Sequence, residues 1–498
     1  MTDRHAPLDL TPEQFRAIGH KLVERIAAHW ESLRDGPVTP GETPAAVRAA
    51  LGQGPLPERG MDPERLVEEA AELLFHHSLY NGHPRFFGYI TSSAAPVGAL
   101  GDLLAASVNA NCGAFSLSPM ATEIERQSVR WICEWLGYPA DAEGLLVSGG
   151  NMANFVCFLA ARRARAPWNV REQGAAGAGQ PRLRVYASSE THTWVQKACD
   201  LFGLGTEALR WIPVDDELRM DVAELGRAVA EDRARGDHPF LVVGTAGSVG
   251  TGAVDPLPAI AELCRREKLW FHADGAYGAL AAPIEGVPAD LQGAALADSV
   301  AVDPHKWFYA PIEAGCALVR HRGALVDTFS YRPPYYRFDE GGDEPPVNFY
   351  ERGPQNTRGF RALKVWLGMR QAGREGYARS IADDIRLARR LYERAAAHPR
   401  LQAFTHGLSI ATFRYVPEGG APEEHLNRLN EELLARLQRD GRAYLSNHVV
   451  RGAFVLRACI VNFRTTEADV DAVPDIAAEI GDALDREMRP ERALTPNS

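Results

Sequence analysis

Lys306 stands in the segment Asp303-Pro-His-Lys-Trp307, directly after the apolar run Ser299-Val-Ala-Val302. A lysine held against a histidine and a tryptophan at a strand end is partly desolvated. That lowers its pKa and frees the amine to form a Schiff base with a carbonyl group. Taken alone, the segment reads more readily as a solvated surface lysine. Asp274 changes the balance. It closes the run Leu269-Trp-Phe-His-Ala273 and precedes Gly275-Ala-Tyr277. A carboxylate buried at a strand end is costly unless it meets a cation. A protonated pyridine nitrogen is such a cation, and an aspartate partner keeps a pyridine ring an electron sink. A metal ligand or a helix cap are the competing readings. The neighbouring sequence has no second carboxylate or histidine cluster with metal spacing, so the reading assigns no metal.

Two further segments bear on the same chemistry. Ser148-Gly-Gly-Asn151 follows the apolar run Leu145-Leu-Val147 and precedes the apolar stretch Phe155 to Ala161. Glycines at a strand-to-helix turn let backbone N–H groups approach a phosphate, and the helix dipole favours the anion. The segment is neither a Walker loop nor a G-x-G-x-x-G fingerprint. His192, in Ser188-Ser-Glu-Thr-His192, follows another apolar run. Its imidazole is suited to stacking on an aromatic ring or shuttling a proton, and equally to a structural hydrogen bond.

These segments need a frame that brings them to one edge. Short apolar runs at 145–147, 183–186, 240–243, 269–272 and 299–302 alternate with amphipathic stretches, which predicts βαβ units and a mostly parallel sheet covered on both faces. Ligands of such sheets bind beyond the carboxyl ends of the strands. Every one of these runs is followed there by a polar or glycine-bearing segment. Ahead of the sheet, Thr11-Pro-Glu-Gln14 predicts a capped helix with a sticky stripe of Phe15, Ile18, Leu22, Ile26 and Trp30, and a second helical pattern runs from Pro63 to His76. Residues 174–179 read as a small-residue surface linker and 331–357 as a long loop. Beyond Tyr377 a helix-rich stretch leads to strands near Phe404, Ser409–Phe413 and Phe454–Ala458, a smaller α+β unit.

The chain's 498 residues exceed a single simple core. Its net charge of -11 argues against a general nucleic-acid binder. Seven scattered cysteines with no C-x-x-C pair do not form a disulfide framework. No apolar run approaches the roughly 20 residues that span a bilayer, and residues 1–10 lack a signal-peptide core. The reading is therefore a cytoplasmic protein that associates with neither membrane nor nucleic acid.

His83-Pro-Arg-Phe-Phe-Gly-Tyr89, Ser118-Pro-Met-Ala-Thr-Glu-Ile-Glu125, Ser148-Gly-Gly150, His192, Asp274-Gly-Ala-Tyr277 and Pro304-His-Lys-Trp307 occur in this order. The set resembles the group II pyridoxal-phosphate-dependent amino-acid decarboxylases, and most closely the aromatic-L-amino-acid decarboxylases among them. The resemblance implies a fold-type-I architecture, with a seven-stranded, mostly parallel sheet flanked by helices. It divides the chain into an N-terminal helical dimerisation segment (1–95), a large cofactor domain (96–375) and a small α+β domain (376–498). It also implies a homodimer with its site at the interface, and pyridoxal 5′-phosphate as cofactor. Carried over by motif, Lys306 holds the cofactor covalently, Asp274 pairs with the ring nitrogen and His192 stacks on the ring. Gly150 and Asn151 hold the phosphate, and Ala276 and His305 complete the cofactor contacts. The loop ending in Gln355-Asn-Thr-Arg-Gly-Phe-Arg-Ala-Leu-Lys364 resembles the family's mobile catalytic loop, with Tyr350 as the residue that protonates the substrate carbon. Tyr89, Ile90 and Phe115 form the substrate wall, whose aromatic and apolar character favours an aromatic L-amino acid.

The sequence departs from the aromatic branch at Asp303, where that branch often has asparagine. A second anion near the phosphate is unfavourable unless it points away or is paired. The segment Asn109–Phe115 differs as well. The implied reaction is decarboxylation of an L-amino acid to its amine and carbon dioxide. The alternatives are a decarboxylation-dependent aldehyde synthase, an aminotransferase on the same fold, and a non-catalytic homologue.

Overall fold

The computed structural model describes residues 6–175, 179–331 and 346–488. The centre of the linker expected at 174–179 and much of the loop expected at 331–357 therefore lie outside the described residues.

Seven strands form the main sheet: β1 (Glu143–Val147), β2 (Leu183–Ser188), β3 (Leu209–Ile212), β4 (His238–Thr245), β5 (Trp270–Asp274), β6 (Ser299–Val302) and β7 (Gly315–Val319). Their order is β1-β7-β6-β5-β4-β2-β3. All neighbours are parallel except β7, which runs antiparallel to β1 and β6. Side chains alternate between the faces along each strand, and both faces are dry. Leu146, Val242, Phe271, Val300 and Leu318 join the core packed by the helices Pro119–Leu136 and Leu257–Glu267. Leu145, Val147, Leu241, Val243 and Ala317 face the helix Gly150–Arg165 through Ala153, Val156, Cys157 and Phe158. Near-continuous apolar runs are what two buried faces demand, and they made β1, β2, β4, β5 and β6 visible in the sequence.

A second sheet holds β8 (Leu401–Gly407), β9 (Ile410–Tyr415), β10 (Ser446–Val450) and β11 (Ala453–Cys459), antiparallel throughout in the order β10-β11-β9-β8. The helices Glu423–Asp440 and Glu467–Met488 bury their leucine and isoleucine faces against it, as does the distal half of the helix Ala362–Ala397. That long helix is broken at Gly373, where φ is +63°. The segment around Phe87 is tied to this smaller unit: Phe87 N–H donates to the Tyr444 carbonyl (2.8 Å) and Cys459 N–H to the Phe87 carbonyl (2.9 Å).

At the N-terminus, the helix Pro12–Ser32 begins with the expected capping box. Gln14 N–H donates to Thr11 Oγ1 (3.2 Å) and Thr11 N–H to Gln14 Oε1 (3.0 Å). It lies along the helix Pro63–His76, tied by the ion pairs Lys21–Glu64 and Arg25–Glu72. It buries no residue fully in the single chain: Ile18, Leu22 and Ile26 are half-buried, while Phe15 and Trp30 stay exposed. None of the described helices is long and apolar enough to cross a membrane.

Candidate active site

The carboxyl ends of β1, β2, β4, β5 and β6 open into one cleft of about 420 Å³, closed on its far side by β10 and β11. Among the residues singled out in the sequence, it brings together Tyr89, Ile90, Gly150, Asn151, His192, Asp274, Ala276, His305 and Lys306.

Asp274 is buried at the end of β5. The indole N–H of Trp194 donates to its Oδ2 at 2.7 Å, and the Ala276 N–H and the Asn154 amide donate to Oδ1 at 3.2 and 3.5 Å. All three donors are neutral, and among the described residues no cationic side chain pairs with it. The Asn154 amide is held from behind, its Oδ1 2.7 Å from His272 Nε2. His272 is wholly enclosed, and burial brings its pKa down to about 4. It is therefore neutral at pH 7 and donates from Nε2, which turns the Asn154 N–H toward Asp274.

His192 follows β2, whose end is laced to β4 by Ser188, Thr191 and Thr245. Its Nδ1 accepts the Trp194 backbone N–H at 3.2 Å, so the neutral ring carries its proton on Nε2. The ring is open to the cleft, yet desolvation by the surrounding atoms lowers its pKa; nearby Asp274 opposes that shift and Lys306 adds to it.

Lys306 sits in the turn after β6, its Nζ 3.1 Å from Asp303 Oδ2. The turn is fixed from several sides. Ser92 Oγ donates to the His305 carbonyl (2.7 Å), and Trp307 Nε1 and Tyr309 OH donate to the Asp384 carboxyl (3.1 and 2.7 Å). Burial pushes the Asp384 pKa up to about 8. Opposite this turn, no side chain caps the helix Gly150–Arg165, and it starts just after Gly149, whose φ is +81°. Its first-turn N–H groups therefore present the positive end of a 16-residue helix to the cleft.

This donor set fits pyridoxal 5′-phosphate. A buried carboxylate with no cation of its own among the described residues suits a protonated ring nitrogen, an uncapped helix N-terminus suits a phosphate, and a lysine lines the same cleft.

Two residues expected at the site stand apart from it. Phe115 lines a second cavity of about 1360 Å³, and Tyr350 is buried in the adjoining turn Phe349–Glu351. Both are held by contacts between two loops: Phe115 N–H donates to Asn348 Oδ1 (3.1 Å) and Tyr350 N–H to the Gly113 carbonyl (2.9 Å). Conversely, sequence reasoning overlooked Arg457. It lies buried on β11, and its Nη1 donates to the Tyr89 carbonyl (2.9 Å) and to Ser446 Oγ (3.0 Å). Its Nε and Nη2 are buried without a hydrogen-bond partner among the described residues, and the residue lines the cleft. The available signal was an arginine inside the apolar run Phe454–Ala458, a placement that costs too much for a merely structural charge.

Residues 47–416 match the family model for the pyridoxal-dependent decarboxylase conserved domain. An aromatic-L-amino-acid decarboxylase of Bacillus atrophaeus is 34% identical over 464 residues, covering 93% of this chain and 94% of that protein. Tyrosine decarboxylase 2 of Arabidopsis thaliana is 29% identical over 91% of this chain and 84% of its own length. Among solved structures, Oryza sativa TDC with PLP and tryptamine superposes with a TM-score of 0.88 at 27% identity, covering 97% of this chain and all of that one.

Proposed function

Because the chain belongs to the pyridoxal-dependent decarboxylase family, we propose that it converts an aromatic L-amino acid to the corresponding amine and carbon dioxide, with Lys306 carrying the cofactor. The observation that carries this reading is the buried carboxylate of Asp274, unpaired by any cation among the described residues and facing the cleft that Lys306 lines. When bound, pyridoxal phosphate supplies a ring that accepts the electron pair left as the carboxylate departs.

The chain's own residues supply the rest. Asp274, anchored by Trp194 and Asn154, holds the ring nitrogen protonated. Gly150 and Asn151 receive the phosphate on their N–H groups, with Ala276 and His305 as further cofactor contacts. His192 stacks on the ring. Arg457, a cation on the cleft wall, draws the substrate carboxylate toward the Tyr89 and Ile90 wall by its charge. The aromatic preference is supported by that wall and by the substrates in the relatives' names.

Replacing Arg457 by methionine is expected to lower kcat/KM by about 10- to 100-fold, mostly through KM, because the cation that attracts the substrate carboxylate is lost. Lysine at this position should restore part of the loss. Steady-state kinetics on the best substrate check this, and an unchanged KM would remove Arg457 from the site.

A homodimer completes the reading, with residues 1–95 as its arm, 96–375 as the cofactor domain and 376–498 as the small domain. Leu100, Leu103, Leu104 and Val108 are exposed along one helix, as are Leu117 and Met120, and an apolar face of this kind needs a cover. The loops bearing Phe115 and Tyr350 then serve the partner's cleft, where Tyr350 returns a proton to the substrate carbon and His192 assists. All seven cysteines are buried and unpaired, in keeping with a reducing cytoplasm.

The test is product analysis of protein reconstituted with pyridoxal phosphate against aromatic, acidic, basic and aliphatic L-amino acids. Amine and carbon dioxide in equal amounts from the aromatic group are expected. Aldehyde with peroxide would move the assignment to an oxidative reaction, and keto acid without carbon dioxide would defeat it.

A further inference from the structure

We propose that Asp303 is the proton acceptor for Lys306, so that capture of the cofactor moves a proton within the protein instead of releasing it to solvent. The inference rests on Lys306 being the lysine that carries the cofactor.

Asp303 is only 2% exposed, and its Oδ2 lies 3.1 Å from Lys306 Nζ. The other nearby base, His305, has its Nδ1 2.6 Å from the Ala314 carbonyl and 3.2 Å from the Ala314 N–H; the shorter contact is to an oxygen that can only accept, so Nδ1 donates there. In the neutral ring the Nε2 facing Asp303, at 3.7 Å, then has a lone pair and no proton to give. Lys306 is thus the proton source for this carboxylate among the described residues. Space has been left for the carboxylate: a Cβ on Gly150 would come within 2.6 Å of Oδ2. The second oxygen, Oδ1, is buried with no hydrogen-bond partner among the described residues. An aspartate so placed is satisfied only while Lys306 is charged.

A lysine nitrogen bonds to carbon only after it gives up a proton. In the step proposed here the proton passes from Nζ to Oδ2. The N–H electron pair stays on nitrogen as the lone pair that attacks the cofactor's carbonyl carbon, the carbonyl oxygen leaves as water with the two hydrogens remaining on Nζ, and Asp303 keeps the third proton as a neutral acid. Total charge is unchanged. Both members of the pair lose their charge together, so neither is left buried and unpaired. The neutral acid also removes the second anion from beside the helix N-terminus that suits a phosphate, which resolves the apparent conflict of an aspartate at this position.

The experiment is calorimetric titration of the apo-protein with pyridoxal phosphate at one pH in buffers of different ionisation enthalpy. The slope gives the protons exchanged per site. The Asp303→Asn variant should release about one proton more per site than the wild type, because the lysine proton then has no internal acceptor. Asp303→Ser should match it, which guards against a fold defect peculiar to the amide, with circular dichroism of each apo form as a control. Equal proton counts in wild type and both variants would overturn the proposal while leaving Lys306 in its role. A wild type that captures no cofactor would overturn the Lys306 assignment and this inference with it.

Discussion

Replacing Lys306 by alanine is expected to reduce decarboxylation by about 10⁴-fold or more, since removal of a covalent catalytic group leaves only what binding and electrostatics contribute. The structure makes this a sharp expectation. The chain has five lysines, and among them Lys306 alone lines the cleft. Lys364 is buried elsewhere on Asp102 and Lys21 pairs with Glu64 near the surface. No second amine stands ready to take over. The turn that carries Lys306 is fixed by Ser92 and Asp384 through groups other than its own side chain, so the variant should keep its fold. The one local change is at Asp303, which loses its cation. Borohydride reduction followed by peptide mapping gives an independent readout: the wild type should carry reduced cofactor on the peptide containing Lys306, and the variant on none. Label on another lysine, or a variant retaining more than about one-hundredth of the wild-type rate, would show that the chemistry is carried elsewhere.

The sequence made the site legible where burial forces composition. The strands that end at Val147, Ser188, Thr245, Asp274 and Val302 are covered on both faces. They had to be apolar throughout, and the polar segment after each one stood out. The elements that escaped notice obey weaker constraints. β3 lies at the sheet edge with Trp211 exposed, and its four residues do not form an apolar run. β10 alternates buried and solvated positions, and its Asn447 and His448 read as loop. Gly315–Val319 is apolar but follows a turn too closely to separate from it by pattern. Within the site, Asn154 and Trp194 were hidden because their roles depend on direction: each is one side chain on a helix, and only the fold shows that both point at Asp274. Arg457 comes from a strand more than 150 residues after Lys306, so no local spacing connects them. The positions of Phe115 and Tyr350 were beyond a one-dimensional reading as well. Their loops pair through one backbone bond, Tyr350 N–H to the Gly113 carbonyl, and one to the Asn348 side chain, and no local spacing links these residues across more than 200 positions.

Arg358 and Glu125 govern that pairing, and breaking them should give the largest stability loss in the chain. Both side chains are essentially fully buried. Arg358 Nη2 bonds Glu125 Oε1 at 2.5 Å and the Leu146 carbonyl at 2.7 Å, while Nη1 bonds Glu125 Oε2 and the Cys112 carbonyl. Glu125 Oε1 also accepts the Leu146 N–H at 2.9 Å, and the guanidinium lies 4.7 Å over the ring of Phe349. One ion pair thus joins the helix Pro119–Leu136, β1, the loop before Phe115 and the turn that holds Tyr350. The Coulombic gain of such a pair is largely offset by desolvation, so its net contribution is modest. Removing one partner is different, because it strands the other charge without water. Arg358→Leu or Glu125→Leu should each cost about 3–5 kcal/mol in unfolding free energy. The double variant, which strands neither charge, should cost clearly less than the sum. Denaturant unfolding of the four proteins tests this. Simple additivity would mean that water reaches the pair or that the charges are satisfied otherwise. The expected non-additivity would identify the pair as a clamp that fixes where the Phe115 and Tyr350 loops stand.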